Sequence, residues 1–158
     1  MSRPARIEVS RVSLLSMAKG AGFAAGHLRG GPVGVVDHRL SRQHLINEFR
    51  RGRLAQHQVC DAHPELIRAA RALGEPGTVG CPICEEAKVV LVTYVFGPRL
   101  PSFGRCISSK REMVELNRRS DDLTAYFVEV CPDCRWHHLL RVVPIGGKKR
   151  RVKAAVAD

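Results

Sequence analysis

Two Cys-Pro-x-Cys hooks, Cys81-Pro82-Ile83-Cys84 and Cys131-Pro132-Asp133-Cys134, constrain the fold of this chain more than any other feature. Each hook sets two sulfurs on one side of a tight turn. Together they supply four soft ligands, the number a tetrahedral structural zinc takes. The spacing is the same in both, and Pro follows the first Cys in both. A chain built around such a quartet must bring residues 81–84 and 131–134 together. The 46 residues between Cys84 and Cys131 must therefore leave and return. That linker is long for paired Cys-x-x-Cys signatures. It reads as one strand, a loop and one helix inserted between the hooks.

Four thiolates close the coordination sphere, whereas a catalytic zinc keeps one position open for water. The expectation is one structural Zn2+ held by Cys81, Cys84, Cys131 and Cys134, with metal binding contributing directly to folding. Two separate redox dithiols are the competing reading, but neither pair sits in a βαβ context. His137 and His138 read as polar strand residues, or as donors beside the sulfurs, rather than as ligands. Cys60-Asp61-Ala62-His63 is a third, smaller cluster. His57 or Glu65 completes a metal set there on paper. It reads instead as a buried Cys beside an N-capping Asp. A Cys60 nucleophile with His63 as base lacks an orienting third group. Cys106 reads as an ordinary free thiol.

At 158 residues the chain holds one modest domain or two very small ones. Aromatics make up only 5%, so a single large core is not expected and a metal staple would help a small one. No run of about 18 apolar residues offers a membrane span. Six Cys without an export signal point to metal rather than disulfides and to a cytoplasmic protein. The net charge of +11 is unevenly spread. Residues 1–35 carry five Lys/Arg and one acid, as do residues 147–158. The middle carries 16 basic and 13 acidic residues. Basic ends on a nearly neutral body point to an anionic partner, most simply RNA or DNA.

Residues 1–35 are interrupted by six Gly between Gly20 and Gly34. They read as a flexible basic arm or as an over-extended translation start, with Met17 a later candidate. A helix is expected over about 38–52 with Asp37 as N-cap, and a short one over about 55–60. Another opens at Pro64 and ends at Gly74, before Glu75-Pro76-Gly77. Val89–Phe96 reads as a strand leaving the first hook. Ser109-Lys110-Arg111-Glu112 has the capping-box form and opens a helix over about 110–118. Ala125–Val130 and Trp136–Val143 read as strands entering and leaving the second hook. The fold class is α+β: N-terminal helices, then a zinc ribbon of antiparallel strands with an inserted short helix. The division is a basic arm at 1–35, a helical segment at 36–77, a zinc-ribbon domain at 78–146 and a basic tail at 147–158.

Several short motifs then fall in a familiar order. They are Val59-Cys60-Asp61-Ala62-His63-Pro64, Arg68-Ala69-Ala70, Gly74-Glu75-Pro76, the first hook, Val92-Thr93-Tyr94-Val95-Phe96-Gly97, Val128-Glu129-Val130-Cys131, and Trp136 with His138-Leu139. Over about Val36 to Gly146 the chain resembles a family of small actinobacterial proteins of unknown function. The resemblance implies a cytoplasmic bacterial protein with a helical N-terminal part and a zinc ribbon. It supplies no activity.

The leading functional expectation is a non-enzymatic adaptor or regulator on transcription or translation machinery, with RNA polymerase, the ribosome or nucleic acid as partner. No small-molecule substrate is evident. Lys148, Lys149, Arg150, Arg151 and Lys153 of the tail are candidate phosphate contacts. Arg53 to Leu73 also reads as a helix-turn-helix, with Glu65, Arg68 and Arg71 facing outward and the two arginines able to reach DNA. The alternative is a protein-binding regulator using Tyr94, Phe96, Tyr126, Phe127 and Trp136 as an aromatic face. An enzyme built on Cys60, His63 and Asp61 is the third reading.

Overall fold

A computed structural model describes residues 34–147. The arm over residues 1–33 and the tail residues Lys148, Lys149, Arg150, Arg151 and Lys153 lie outside the described residues. In chain order the elements are β1 (Val36–Asp37), α1 (Arg39–Arg50), α2 (Gln56–Val59), α3 (Pro64–Leu73), β2 (Glu75–Gly80), β3 (Lys88–Phe96), β4 (Arg105–Ile107), α4 (Lys110–Asn117), β5 (Asp122–Val130) and β6 (His137–Gly146). The six strands form one sheet in the order β1-β6-β5-β3-β2, with β4 also paired to β3. All pairings are antiparallel. The architecture is α+β.

Strand alternation sorts the side chains into two faces. Val92, Tyr126, Val128, Val130, Leu139 and Val142 fill one face, and α3 covers them with Ile67 and Ala70. The other face is divided. At the hook end α1 brings Ile46 against Val89, Cys81, Cys131 and Trp136. At the far end α4 brings Leu116 against Val95, Ile107, Leu123 and Ala125. Three small clusters replace one large core, as scarce aromatics require. A bulge keeps the faces in order on β6. Phe127 pairs with Arg141 and Val128 with Leu139, so Leu140 is the extra residue. The Leu140 carbonyl accepts the His38 N–H at 2.8 Å, which ties the start of α1 to the bulge.

Expected helices and strands stand within a few residues of their observed bounds, and the caps differ. Asp37 does not cap α1; that position is His38, which makes no side-chain cap bond. Asp37 instead accepts the Arg39 N–H at 2.9 Å and pairs with the Arg39 guanidinium. Asp61 does not cap α3 either. His63 does, its Nδ1 accepting the Glu65 N–H at 3.1 Å, with Pro64 at the first helical position. Ser109 caps α4 as its sequence implies, accepting the Glu112 N–H at 3.2 Å, while Glu112 accepts the Ser108 N–H at 3.0 Å.

Glu75-Pro76-Gly77, read from sequence only as the residues after the helix, opens strand β2. Pro76 fits β2 because β2 lies at the sheet edge, where a missing N–H costs no ladder bond. Gly77 lets β2 approach closely: a Cβ there would lie 2.3 Å from the Val89 carbonyl oxygen. This edge strand makes the first hook a hairpin tip.

Candidate metal centre

The two hooks occupy matching places. The first caps the β2–β3 hairpin and the second caps the β5–β6 hairpin. β3 pairs with β5 in the register Val90 to Val130, so the two tips lie side by side. The backbones also fold alike. Glu85 N–H donates to the Cys81 carbonyl, and Arg135 N–H to the Cys131 carbonyl, both at 3.1 Å. The residue after each second Cys is left-handed, Glu85 at φ 60° and Arg135 at φ 70°. Neither is Gly, so each stores roughly 1–2 kcal/mol of backbone strain. The Cys81 N–H closes its loop onto Ala87 O at 2.7 Å and the Cys131 N–H onto Trp136 O at 2.8 Å.

The four hook sulfurs all lie within 4.8 Å of one another, and they form the one group of this kind among the described residues. Cys81 Sγ is 3.5 Å from Cys134 Sγ, and Cys84 Sγ is 3.8 Å from Cys131 Sγ. A zinc–sulfur bond of about 2.3 Å requires tetrahedron edges of about 3.8 Å. These two edges are close to that value, so the quartet is able to hold a tetrahedral ion. Cys81 and Cys131 are buried; Cys84 and Cys134 are half-buried.

The electrostatics match. Burial pushes the Cys81 thiol up strongly and the Cys134 thiol up to about 12. Burial also opposes the Cys84 thiolate, but the backbone N–H groups of Ala87 and Glu86 outweigh it and bring that thiol to about 7. Ile83 N–H likewise points at Cys81 Sγ at 3.5 Å. Backbone donors aimed at sulfur favour thiolates, and a cation would supply the rest of the compensation.

Around the sulfurs lies a polar anchor absent from the sequence expectations. Glu129 is only 7% exposed. Its Oε1 accepts the Trp136 Nε1–H at 2.7 Å and the Arg42 Nε–H at 2.9 Å. Trp136 is fully buried in the cluster that holds Cys81 and Cys131. One carboxylate thus joins β5, α1 and the residue between the second hook and β6, beside the quartet. The signal was present in Val128-Glu129-Val130, an acid in the middle of an apolar strand, but nothing local named its partners. His138 stacks on Trp136 with ring centroids 5.9 Å apart. Burial lowers the His138 ring to about 4, so it is neutral at pH 7. His137 and His138 stand outside the metal-fitting group, as does His63.

The remaining candidates scatter. Arg68 and Arg71 are exposed on α3, but both are engaged. Arg68 pairs with Glu65, and Arg71 donates to the Pro132 carbonyl at 2.9 Å. With Arg135 they line an open cleft between α3 and the second hook, and Asp133 lies in the same cleft. Of the aromatic face, Trp136 and Tyr126 are core residues. Phe96 meets Tyr126 edge-to-face at 5.2 Å, and Phe127 lies under Arg141. Among the described residues the exposed aromatic is Phe103. No described helix is long and apolar enough to cross a membrane.

Fold and site together define a small α+β protein with a four-cysteine cluster able to hold a metal ion at the joined tips of two hairpins. The chain belongs to the family of unknown function DUF5318, whose model matches residues 32–157. It is 36% identical over 114 residues to the uncharacterised protein Rv0049 of Mycobacterium tuberculosis, covering 72% of this chain and 83% of that one. The uncharacterised protein Mb0050 of Mycobacterium bovis is similar to the same extent. No solved structure matches the chain.

Proposed function

We propose that the protein is a non-enzymatic, cytoplasmic zinc-ribbon adaptor or regulator of the transcription or translation machinery, reaching nucleic acid through its basic ends. The observation that carries this reading is the closed geometry of the quartet. Cys81, Cys84, Cys131 and Cys134 would hold one Zn2+ with all four positions filled by sulfur. When bound, such an ion supplies cross-linking and charge neutralisation rather than a reactive water. The paired hairpin tips are the arrangement a ribbon uses to carry it. The Cys60–His63 segment offers little support for an enzyme, since His63 Nδ1 is spent on the α3 cap.

Charge supports the partner class. Five basic residues lie in 1–35 and five in 147–158, while the body is nearly balanced. Contacts made by such ends are phosphate contacts, each adding about 0.9 to the slope of log affinity against log salt. In an electrophoretic shift assay the full chain is expected to bind duplex DNA or RNA with a steep salt slope. A chain of residues 36–146 is expected to lose nearly all of that binding. Undiminished binding by the shorter chain would overturn the role of the ends and shift attention to the arginine-lined cleft. A pull-down with and without nuclease separates nucleic acid from a protein partner: nuclease-resistant capture of polymerase or ribosome would favour direct protein contact.

A further inference from the structure

The quartet has a fifth sulfur beside it. Cys60 Sγ lies 3.6 Å from Cys134 Sγ. It is not one of the four that lie mutually within 4.8 Å, so it stands outside the tetrahedron, against one vertex. Its position is built rather than incidental. The Ala62 N–H donates to the Arg135 carbonyl at 3.1 Å. The Arg135 guanidinium returns two bonds to the Ala62 carbonyl, at 3.1 and 2.6 Å. Ala62 is fully buried, and the Cys60 N–H is bonded to the Gln56 carbonyl at the end of α2. The segment carrying Cys60 is thus clamped to the residue that follows Cys134. Both Cys60 and Cys134 are half-buried, whereas Cys81 and Cys131 are shielded.

We propose that Cys60 is the resolving thiol of an oxidation-sensitive metal site, forming a disulfide with Cys134 when the protein meets a hydroperoxide. This rests on the metal reading above. In the first step the Cys134 thiolate attacks one peroxide oxygen. The O–O bond breaks, Cys134 becomes a sulfenic acid, and the departing hydroxide takes a proton to become water. In the second step the Cys60 sulfur attacks the Cys134 sulfur. The S–O bond breaks, the S–S bond forms, and the Cys60 proton leaves with the hydroxide as a second water. Two electrons pass from the two sulfurs to the peroxide, and nothing else is consumed. The sulfurs must close from 3.6 Å to about 2.05 Å, a side-chain movement. A neighbouring non-ligand thiol is what a reversible sensor cysteine requires. The product removes one ligand and leaves Cys81, Cys84 and Cys131, so metal retention weakens without the whole quartet being lost.

The test uses the full zinc-loaded chain, treated with stoichiometric hydrogen peroxide in the presence of a chromogenic zinc chelator. Zinc release is expected to coincide with a Cys60–Cys134 linkage in a non-reducing peptide map, and dithiothreitol with added zinc is expected to reverse both. Cys60→Ser leaves the quartet intact and should form no linkage at Cys134, which then passes on to the sulfinic acid that dithiothreitol does not restore. Cys106→Ser, which alters a thiol on β4, should release like the parent. Disulfides formed inside the quartet in place of the Cys60–Cys134 linkage, with release as reversible in Cys60→Ser as in the parent, would overturn the proposal. A purified chain that takes up no zinc, yet still forms the Cys60–Cys134 linkage, would sink the metal reading and leave the thiol pair standing.

Discussion

Cys131→Ser is expected to release the metal and collapse the hook end of the molecule. Cys131 is fully buried, and its sulfur is 3.8 Å from that of Cys84. A serine oxygen is harder and shorter-reaching than a thiolate, so the site falls to three ligands. The tips are expected to lose their shape without an ion: each carries a left-handed, non-glycine residue, Glu85 or Arg135, whose strain a metal-closed site would offset. The damage spreads, because Cys131 shares its cluster with Ile46, Val89 and Trp136 and thereby seats α1. Structural zinc in small domains contributes roughly 10–16 kcal/mol of apparent binding free energy at neutral pH, against total stabilities of about 5–15. The variant should therefore lack a cooperative thermal transition by circular dichroism.

Acidity should act in the same direction on the parent. A metal-bound thiolate has its pKa depressed below the unfolded value of about 8.5, so its stabilisation is lost as pH falls. In the metal-free chain Cys84, lowered to about 7, keeps that sign, while Cys81 and Cys134 have the opposite one. With Cys134 raised to about 12 and Cys81 raised as well, the stability these two contribute is lost as pH climbs above the ordinary thiol range. Unfolding midpoints measured with and without chelator across this range give the two slopes directly.

Glu129→Ala should be the most damaging change outside the sulfurs. It strands the indole N–H of a fully buried Trp136 and leaves Arg42 beside an empty space. Removing one partner of a buried ion pair costs about 3–5 kcal/mol. Arg42 keeps 19% side-chain exposure, so the lower end of that range applies. Glu129→Gln is the informative companion. Both donors meet the same oxygen, Oε1, which an amide carbonyl can replace. Gln should cost about half as much as Ala, since it gives up the charge and keeps both hydrogen bonds. Urea unfolding of the metal-loaded chain reads both; equal losses for the two would mean that the charge, not the hydrogen bonds, is what matters there.

Much of this architecture is legible in residue order. The hooks announce their own meeting, and Pro64, Gly74 and the Ser109–Glu112 box mark helix ends close to where they fall. β2 was hidden because Pro76 and Gly77 look like turn residues, and only their place at a sheet edge permits a strand. The caps at His38 and His63 were hidden because a nearby Asp is the better generic cap. The partnerships of Glu129 with Arg42 and Trp136, Cys60 with Cys134, and Ala62 with Arg135 depend on how the helical segments pack against the β5–β6 hairpin. No local pattern reports that packing.

The most direct measurement is native mass spectrometry of the full chain purified without added chelator, paired with thermal unfolding before and after chelation. The account predicts one zinc ion per chain, lost in Cys131→Ser, and an unfolding midpoint that drops sharply when the ion is removed. A metal-free parent chain whose midpoint is unchanged by chelator would contradict it.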